Sequence, residues 1–477
     1  MGSLILVTFA LLQLYTHTLG LNFSWSRDCE PTLPALSFSA LLMTPSQWDI
    51  NPPGGGALYA ELVKNRAFQG QSGSATPNLD AYRSVGEARI SIDAADALSF
   101  ALPNVLRVTP TDMTSTYQVG FLNTGYPGIR IGPAKCTSSP YVKCPRSKVF
   151  AQQQIMSNSG AVSRPVGENR WSQICQHNGL HGAGGLRADI VQKLEAVKPR
   201  FLRWGGNNLE GNHPPYRWKW NETIGLLIDR PGRQGARGYE NTDGLGLIEC
   251  MQLADGMGLE PILGIWVGSH LNGPVIPQDE LGVYRSTTST RGAVRARVGY
   301  PNPWKLDYVG MGNKGDLGEG MASYNSYRPR MFLDAIKAAY LDMKIMASNI
   351  RLNPVPEGAW LDYHVYMQPD EFIKLFNFFG NIDRSRPMVV GEYACVQGDP
   401  LQRGGVDRVA LNAGFPTVIG AAAEAVFMIG MEGNADLVGT AAYAPLLQSL
   451  DGYQWSVSTH SPPPNLASEY CVMRGSL

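Results

Sequence analysis

The second half of the chain alternates short apolar runs with segments of helical periodicity, and this alternation most narrows the possible folds. The predicted strands lie at residues 201–204, 260–267, 304–311, 344–347, 360–366, 388–393 and 438–447. The predicted helices lie at residues 188–196, 244–257, 331–340, 371–379 and 417–432. With the apolar stretch 33–43 as a first strand, about eight strands alternate with helices, which predicts an α/β fold, the (β/α)8 TIM barrel.

The segment at residues 82–170 has a different pattern. Its short alternating runs are separated by Pro, Gly, Asn and Ser clusters, which is typical of antiparallel strands. We expect a shortened β-sandwich here, inserted between the start of the barrel at 33–81 and the main barrel at 171–460, with a tail at 461–477. Residues 57–68 predict an amphipathic helix, whereas residues 284–299 lack the helical pattern that a barrel needs there.

The start of the chain predicts export. The apolar run at residues 4–14 is too short to cross a membrane and is typical of a secretory signal peptide, within residues 1–20, although no Lys or Arg precedes it. No later stretch is apolar enough for a membrane span. Asn22 and Asn221 begin sequons that can be glycosylated after secretion. We therefore expect an extracellular glycoprotein.

Charge and cysteine spacing exclude several classes of function. Lys+Arg and Asp+Glu each number 40, so net charge gives no reason to expect a nucleic-acid or membrane partner. The seven cysteines show no CxxC spacing, which argues against a metal cluster, and their odd number leaves at least one unpaired. The sequence also has no Gly-rich phosphate loop, and we expect neither a metal nor a cofactor.

Polar side chains end four of the predicted barrel strands. They are Arg203 and Asn207 after the second strand, Asn313 and Lys314 after the fourth, His364 and Tyr366 on the sixth, and Glu392 on the seventh. One buried His or one salt-bridged Glu is commonly structural. Polar groups at the same end of several strands are harder to explain by packing, because barrels keep their chemistry at that end. The pattern favours a site for a polyol or a sugar.

Segments in collinear order along most of the chain carry a specific resemblance. They include PRFLRWGGNNLEGN (199–212), YENTDGLGLIECMQLADGMGLEPILGIWVG (239–268), YPNPWKLDYVGMGNKGDLGEGMASYNSYR (300–328), PEGAWLDYHVYMQPDEF (356–372) and VVGEYACVQ (389–397). These segments resemble the fungal type of α-L-arabinofuranosidase, glycoside hydrolase family 51. The resemblance implies a (β/α)8 barrel and a retaining, cofactor-free reaction. The implied substrate is a terminal α-L-arabinofuranosyl group of arabinan or arabinoxylan.

The resemblance also assigns roles to the strand-end residues. Glu392 matches the nucleophile, and position 314 matches the acid/base residue. The substrate-binding positions match Arg203, Asn207, Asn313, His364 and Tyr366.

The chain departs from the family pattern at several places. Lys314 follows Gly-Asn where the family has Glu, and Trp48 replaces a substrate-contacting Glu. The strand-two motif lacks a proline at 203–207, the inserted sandwich is short, and the β-domain expected after residue 455 is nearly absent. These departures leave two interpretations open, a diverged protein that binds arabinosides without cleaving them, or misplaced exon boundaries. Exon boundaries do not explain Lys314, because its segment matches well.

Lys314 is expected to impair catalysis. A lysine ammonium, with a reference pKa of about 10.4, is a poor general acid at neutral pH and cannot accept a proton. Beside Glu392 it is expected to form an ion pair that lowers the pKa of the nucleophile. The loss of general acid–base help predicts a rate roughly 10²–10⁴-fold lower. Asp316 and Glu319 lie nearby in sequence as possible substitutes.

Overall fold

A computed structural model describes residues 58–61, 63–68, 76–111, 120–125, 155–157, 160–162, 185–206, 217–235, 240–269, 275–281, 302–348, 355–396, 418–444, 447–449 and 471–473. The strands are β1 (Tyr82–Val85), β2 (Ala88–Asp93), β3 (Val105–Pro110), β4 (Gly120–Asn123), β5 (Ile155–Ser157), β6 (Gly160–Val162), β7 (Phe201–Trp204), β8 (Arg233–Gln234), β9 (Glu240–Asn241), β10 (Glu260–Ile265), β11 (Tyr308–Met311), β12 (Lys344–Ser348), β13 (Trp360–Met367), β14 (Met388–Cys395), β15 (Val438–Tyr443), β16 (Leu447–Ser449) and β17 (Cys471–Met473). The helices are α1 (Ala188–Val197), α2 (Leu247–Met257), α3 (Gly320–Ser326), α4 (Arg328–Ala339), α5 (Pro369–Lys374) and α6 (Val418–Glu432). Short 3₁₀ helices lie at Trp220–Glu222, Leu227–Asp229, Leu375–Asn377 and Phe379–Asn381.

One parallel sheet of seven described strands organises the fold. Its order is β7, β10, β11, β12, β13, β14 and β15, so that its strands pair in the order in which the chain reaches them. Helices α3 and α4 connect β11 to β12, α5 connects β13 to β14, and α6 connects β14 to β15. Seven parallel strands that pair in chain order, with helices in the connections, match the (β/α)8 barrel, so that prediction is confirmed. The strand predicted at 33–43 and the helix-poor stretch 284–299 lie outside the described residues.

Most predicted elements lie close to the observed ones. Strand β7 has the predicted bounds, and α6 begins one residue later than predicted. The strand predicted from residue 304 begins only at Tyr308. The helix predicted at 371–379 begins earlier, at Pro369, because proline suits the first turn of a helix, and it ends in two 3₁₀ helices.

The helix predicted at residues 57–68 is wrong for the part that the structure describes. Tyr59 forms an antiparallel bridge with Leu186 instead. Asn65 and Phe68 have positive φ values of 54° and 59°, which no α-helix allows. The side chain of Asn65 also donates a 3.1 Å hydrogen bond to that of Asn78. Tertiary contacts therefore override a helical periodicity here, as weak local propensities permit.

The inserted segment consists of antiparallel pairs where the structure describes it. Strand β1 pairs with β4, β2 with β3, and β5 with β6. The ring of Tyr82 on β1 packs 4.9 Å from that of Phe68, centroid to centroid, and is 5% exposed. This contact packs β1 against the described segment at residues 63–68.

Strand β14 is buried along its whole length, and aromatic packing holds it there. All eight of its residues are buried. Phe427 on α6 packs against Phe372, Phe379 and Tyr393, with ring centroids 4.9, 5.4 and 5.6 Å apart. Burial of each such ring contributes roughly 1.5–3 kcal/mol. The strand that carries Glu392 is therefore among the most firmly packed in the fold.

Some features relevant to export fall within the described residues. Asn221 is exposed on a 3₁₀ helix, whereas Asn22 and residues 1–20 lie outside the described part. Cys250 and Cys395 are buried free thiols. Among the helices that the structure describes, none is long and apolar enough to cross a membrane.

Candidate active site

Glu392 lies near the carboxyl end of β14 and has four polar neighbours. Its side chain is 1% exposed. Nζ of Lys314 lies 2.6 Å from Oε2, and Nη1 of Arg203 lies 3.2 Å from Oε1. The phenol of Tyr366 donates a 2.8 Å hydrogen bond to Oε2, and Nδ1 of His364 lies 3.5 Å from the same oxygen. The sequence-predicted residues of four different strands therefore meet around one carboxylate.

These neighbours determine the charge state of Glu392. Burial alone would raise the pKa of its carboxyl group, because a buried charge loses hydration. The adjacent Lys314, His364 and Arg203 outweigh burial and hold the pKa of Glu392 well below its usual range. These neighbours thus favour the ionised form of the carboxylate.

Lys314 reaches Glu392 from a turn with an unusual backbone. After β11, both Gly312 and Lys314 have positive φ values, 71° and 52°. The backbone N–H of Lys314 donates a 3.2 Å hydrogen bond to Oγ of Ser348, at the end of the next strand. A non-glycine residue in the left-handed region costs of order 1–3 kcal/mol, and such strain clusters at functional sites. The turn directs the Lys314 side chain toward the end of β14.

Asn313 occupies the inner side of the same turn. It is fully buried, and its Oδ1 accepts a 3.3 Å hydrogen bond from Nη2 of Arg203. Arg203 therefore spans the strand ends that carry Asn313 and Glu392. A guanidinium suits this position because it presents several donors in one plane.

Asp362 also belongs to the site, although the pattern of polar strand ends in the sequence does not single it out. Its carboxylate is 1% exposed, with Oδ2 3.1 Å from Nε2 of His364 and 3.6 Å from Nη2 of Arg203. Burial raises the pKa of Asp362, but His364 and Arg203 outweigh it and lower the pKa below its usual range. The signal for Asp362 was present in the sequence, since Asp362, His364 and Tyr366 alternate along one strand and therefore share a face.

Gly391 makes the close approach of β13 and β14 possible. A Cβ atom at this position would overlap Oδ1 of Asp362 and lie 2.8 Å from Nε2 of His364. Only glycine leaves this space for both side chains. Gly391 thus determines how closely Asp362 on β13 and Glu392 on β14 can approach each other.

The other sequence candidates lie between β11 and α3 or outside the described residues. Asn207 and Trp48 are not among the described residues. Asp316 is fully buried in the turn after β11, and Glu319 is exposed before α3. Within the described part of the chain, no group of three or more His, Cys, Asp or Glu side chains is placed to hold a metal ion.

Comparison with known proteins identifies the family. The domain described as Alpha-L-arabinofuranosidase 1 matches residues 193–384, a range that ends before Glu392. The chain is 36% identical over 471 residues to the probable alpha-L-arabinofuranosidase A of Aspergillus terreus, covering 86% of this chain and 72% of that relative. A solved arabinose-bound α-L-arabinofuranosidase of glycoside hydrolase family 51 superposes with a TM-score of 0.73 at 30% identity, covering 89% of this chain and 78% of the other. The chain belongs to glycoside hydrolase family 51, the α-L-arabinofuranosidases.

A second relative supports the same assignment. Alpha-L-arabinofuranosidase A of Aspergillus kawachii is 36% identical over 472 residues, again covering 86% of this chain and 72% of the relative. The resemblance predicted from sequence segments is therefore confirmed. Within this family-51 barrel, the carboxyl ends of the strands hold Glu392 together with Lys314, Arg203, His364 and Tyr366.

Proposed function

We propose that the protein binds non-reducing terminal α-L-arabinofuranosyl groups at the carboxyl end of the barrel, with Glu392 as the nucleophile of a retaining reaction. We further propose that Lys314, in the acid/base position, makes hydrolysis of natural arabinosides slow. The observation that carries this proposal is the 2.6 Å contact between Nζ of Lys314 and Oε2 of Glu392. This contact joins the residues at the two proposed catalytic positions, whose carboxyl groups a retaining mechanism keeps about 5–5.5 Å apart.

A retaining glycosidase needs two carboxyl groups about 5–5.5 Å apart, one as the nucleophile and one as the acid and then the base. Glu392 has the burial and the hydrogen bonds of an oriented nucleophile, with Arg203 and Tyr366 each holding one of its oxygens. Lys314 cannot protonate a leaving alkoxide readily, and in its charged form it cannot deprotonate water. Its ion pair also stabilises the Glu392 carboxylate before attack, which makes that carboxylate less nucleophilic.

The family and the sequence support a proposal for the substrate class and for the location. The names of the relatives support an arabinofuranoside as the sugar that is bound. We propose arabinan- or arabinoxylan-type polysaccharide as its source and an extracellular location, supported by the predicted signal peptide at residues 1–20 and by the exposed sequon at Asn221. Expression of the full chain in a secreting host, followed by amino-terminal sequencing and glycosidase treatment of the parent and Asn221→Gln, tests the location.

The catalytic proposal is tested at position 314. The parent, Lys314→Glu and the neutral control Lys314→Gln are compared on an arabino-oligosaccharide, whose leaving group needs protonation. Lys314→Glu is expected to raise kcat/KM roughly 10²–10⁴-fold, which is the usual contribution of general acid–base catalysis. Lys314→Gln should not reproduce this gain, because an amide cannot exchange the proton. Equal rates for the parent and Lys314→Glu would refute the proposal.

A second candidate is an arabinoside-binding protein without catalysis. It is favoured by the ion pair, which keeps the polar cluster of Arg203, His364 and Tyr366 in place while occupying Glu392. Calorimetric titration with an arabino-oligosaccharide distinguishes the two functions. Binding by both the parent and Lys314→Glu, with turnover by neither, would favour this candidate.

A further inference from the structure

The ammonium group of Lys314 depends on a single carboxylate. Glu392 is its one ion-pair partner among the residues that the structure describes. The ring of Tyr366 lies below the ammonium, with its centroid 5.9 Å from Nζ. Arg203, in contrast, has two carboxylate neighbours, Glu392 at 3.2 Å and Asp362 at 3.6 Å. Loss of the charge on Glu392 would leave Arg203 with Asp362 but would leave Lys314 without its counter-ion.

A glycosyl ester on Glu392 would cause this loss of charge. The step rests on the proposed function, in which Glu392 binds the anomeric carbon covalently. Before the ester forms, two cations, Arg203 and Lys314, face two carboxylates, Glu392 and Asp362. After it, the same two cations face one carboxylate. An unpaired charge in a protected site is costly, and the Lys314 side chain is only 13% exposed.

The sugar must also separate Lys314 from Glu392. Lys314 and Glu392 now touch through Oε2, so attack by this oxygen on an anomeric carbon requires the ammonium to move aside for the sugar. In the proposed reaction Lys314, at the acid/base position, then faces the side of that carbon from which the second substrate arrives. The side chain of Lys314 is also more exposed than that of Glu392, at 13% against 1%. The positive charge of Lys314 attracts anionic acceptors to this place and does not repel neutral ones.

We propose that this protein is a transferase for small anions, which moves the arabinofuranosyl group from a donor with an anionic leaving group to a carboxylate or a phosphate in preference to water. Lys314 binds the incoming anion after the ester has formed. Water needs a base to remove its proton during attack, and a charged lysine is no base. An anion needs no deprotonation, so the substitution that slows hydrolysis leaves this reaction open.

The two steps balance without an acid, a base or a redox partner. In the first, Oε of Glu392 forms a bond to the anomeric carbon while the bond to the leaving oxygen breaks, and a phenolate departs with the electron pair. In the second, an anion such as azide or hydrogen phosphate forms a bond to the anomeric carbon. The bond to Oε then breaks, and Glu392 recovers its negative charge and its ion pair with Lys314.

The test measures how the intermediate partitions between acceptors. The parent, Lys314→Gln and Lys314→Glu are incubated with 4-nitrophenyl α-L-arabinofuranoside and with azide, inorganic phosphate or methanol. Mass spectrometry gives the ratio of transfer product to free arabinose. This ratio is set after the ester forms and so does not depend on which step limits the rate. Thermal unfolding shows that each variant is folded.

We expect the azide and phosphate ratios of the parent to exceed those of Lys314→Gln by about tenfold or more, the lower end of the concentration gain in a charged cleft. The methanol ratio should be similar in the two proteins. Equal anion ratios in the parent and Lys314→Gln would overturn the inference, as would free arabinose as the sole product of the parent. If Lys314→Glu releases nitrophenol and the parent releases none, the inference fails and the proposed function stands. If neither protein releases nitrophenol, the proposed function fails with it.

Discussion

The phenol of Tyr366 donates a hydrogen bond of 2.8 Å to Oε2 of Glu392. Lys314 contacts the same oxygen, while Arg203 binds the other one. One oxygen of the carboxylate thus has two donors, and one of them is Lys314, the residue in the proposed acid/base position. The consequences can be measured by changing each neighbour separately.

Tyr366→Phe is expected to raise the pKa of Glu392, because a hydrogen bond to the charged form favours that form. In the Lys314→Glu background, the acidic limb of the kcat/KM profile against pH should move upward. Tyr363→Phe is the matched control, since Tyr363 lies on the same strand but stacks on Phe378, 5.0 Å away. A profile that moves equally in both variants would exclude a direct effect of Tyr366.

Lys314→Gln is expected to lower the free energy of unfolding at pH 7 by about 1.5–3 kcal/mol, the contribution of a hydrogen bond to a charged group. The parent gains stability from the lowered pKa of Glu392, and this gain is present above the unfolded pKa near 4.3. It is lost as pH falls below that value toward the folded pKa. The difference between the two proteins should therefore shrink in acid.

Denaturant unfolding of the parent and Lys314→Gln at pH 7 and at the lowest pH at which both fold measures this difference. Lys374→Gln serves as the control, because Lys374 forms an ion pair with Glu371 at the surface and is 66% exposed. Because water screens an exposed ion pair, that change should alter the free energy of unfolding far less than Lys314→Gln does. A pH-independent effect of Lys314→Gln would show that the ion pair does not set the charge of Glu392.

Asp362→Asn is expected to destabilise the protein by about 3–5 kcal/mol, because it removes a buried charge that faces Arg203 and His364. Asp383→Asn, at an exposed position, is the control and should change the free energy of unfolding much less, because water screens its charge and the amide keeps an oxygen for the hydrogen bond from the backbone of Ser385. Equal stability losses in the two variants would exclude a special role for Asp362.

Gly391→Ala is expected to cost about 1–3 kcal/mol, because its methyl group would overlap Asp362 and crowd His364. Gly380→Ala is a fair comparison, since a Cβ at Gly380 has no atom within 4 Å. Thermal unfolding of both variants measures the difference. A loss for Gly391→Ala no larger than that for Gly380→Ala would mean that the strands can move apart freely.

The barrel and the cluster of polar residues at its strand ends could be predicted from sequence because both depend on regular patterns. Apolar runs such as β14 alternate with amphipathic helices, and polar residues recur where those runs end. The bridge at Tyr59 could not be predicted, because the partner at Leu186 is distant in the chain. Its residues have helical spacing, and only packing reveals their true conformation.

The contacts of Asp362 cannot be deduced from the spacing of residues along the sequence alone. Its place on the same face as His364 was visible in the sequence, but its approach to Arg203 depends on the gap left by Gly391. The ion pair between Lys314 and Glu392 was predicted as a consequence of the family resemblance, and the structure contains it. The positive φ of Lys314 had no signal in the sequence, since residues in that conformation are usually Gly or Asn.

The positive φ of Lys314 affects which substitutions this position can accept during evolution. Lysine and glutamate carry the same strain there, because both have an ordinary Cβ, so an exchange between them leaves the turn unchanged. Their codons, AAA or AAG and GAA or GAG, differ by one base. A lineage that carries this chain is therefore one point mutation away from a carboxylic acid beside Glu392, with the surrounding barrel already in place.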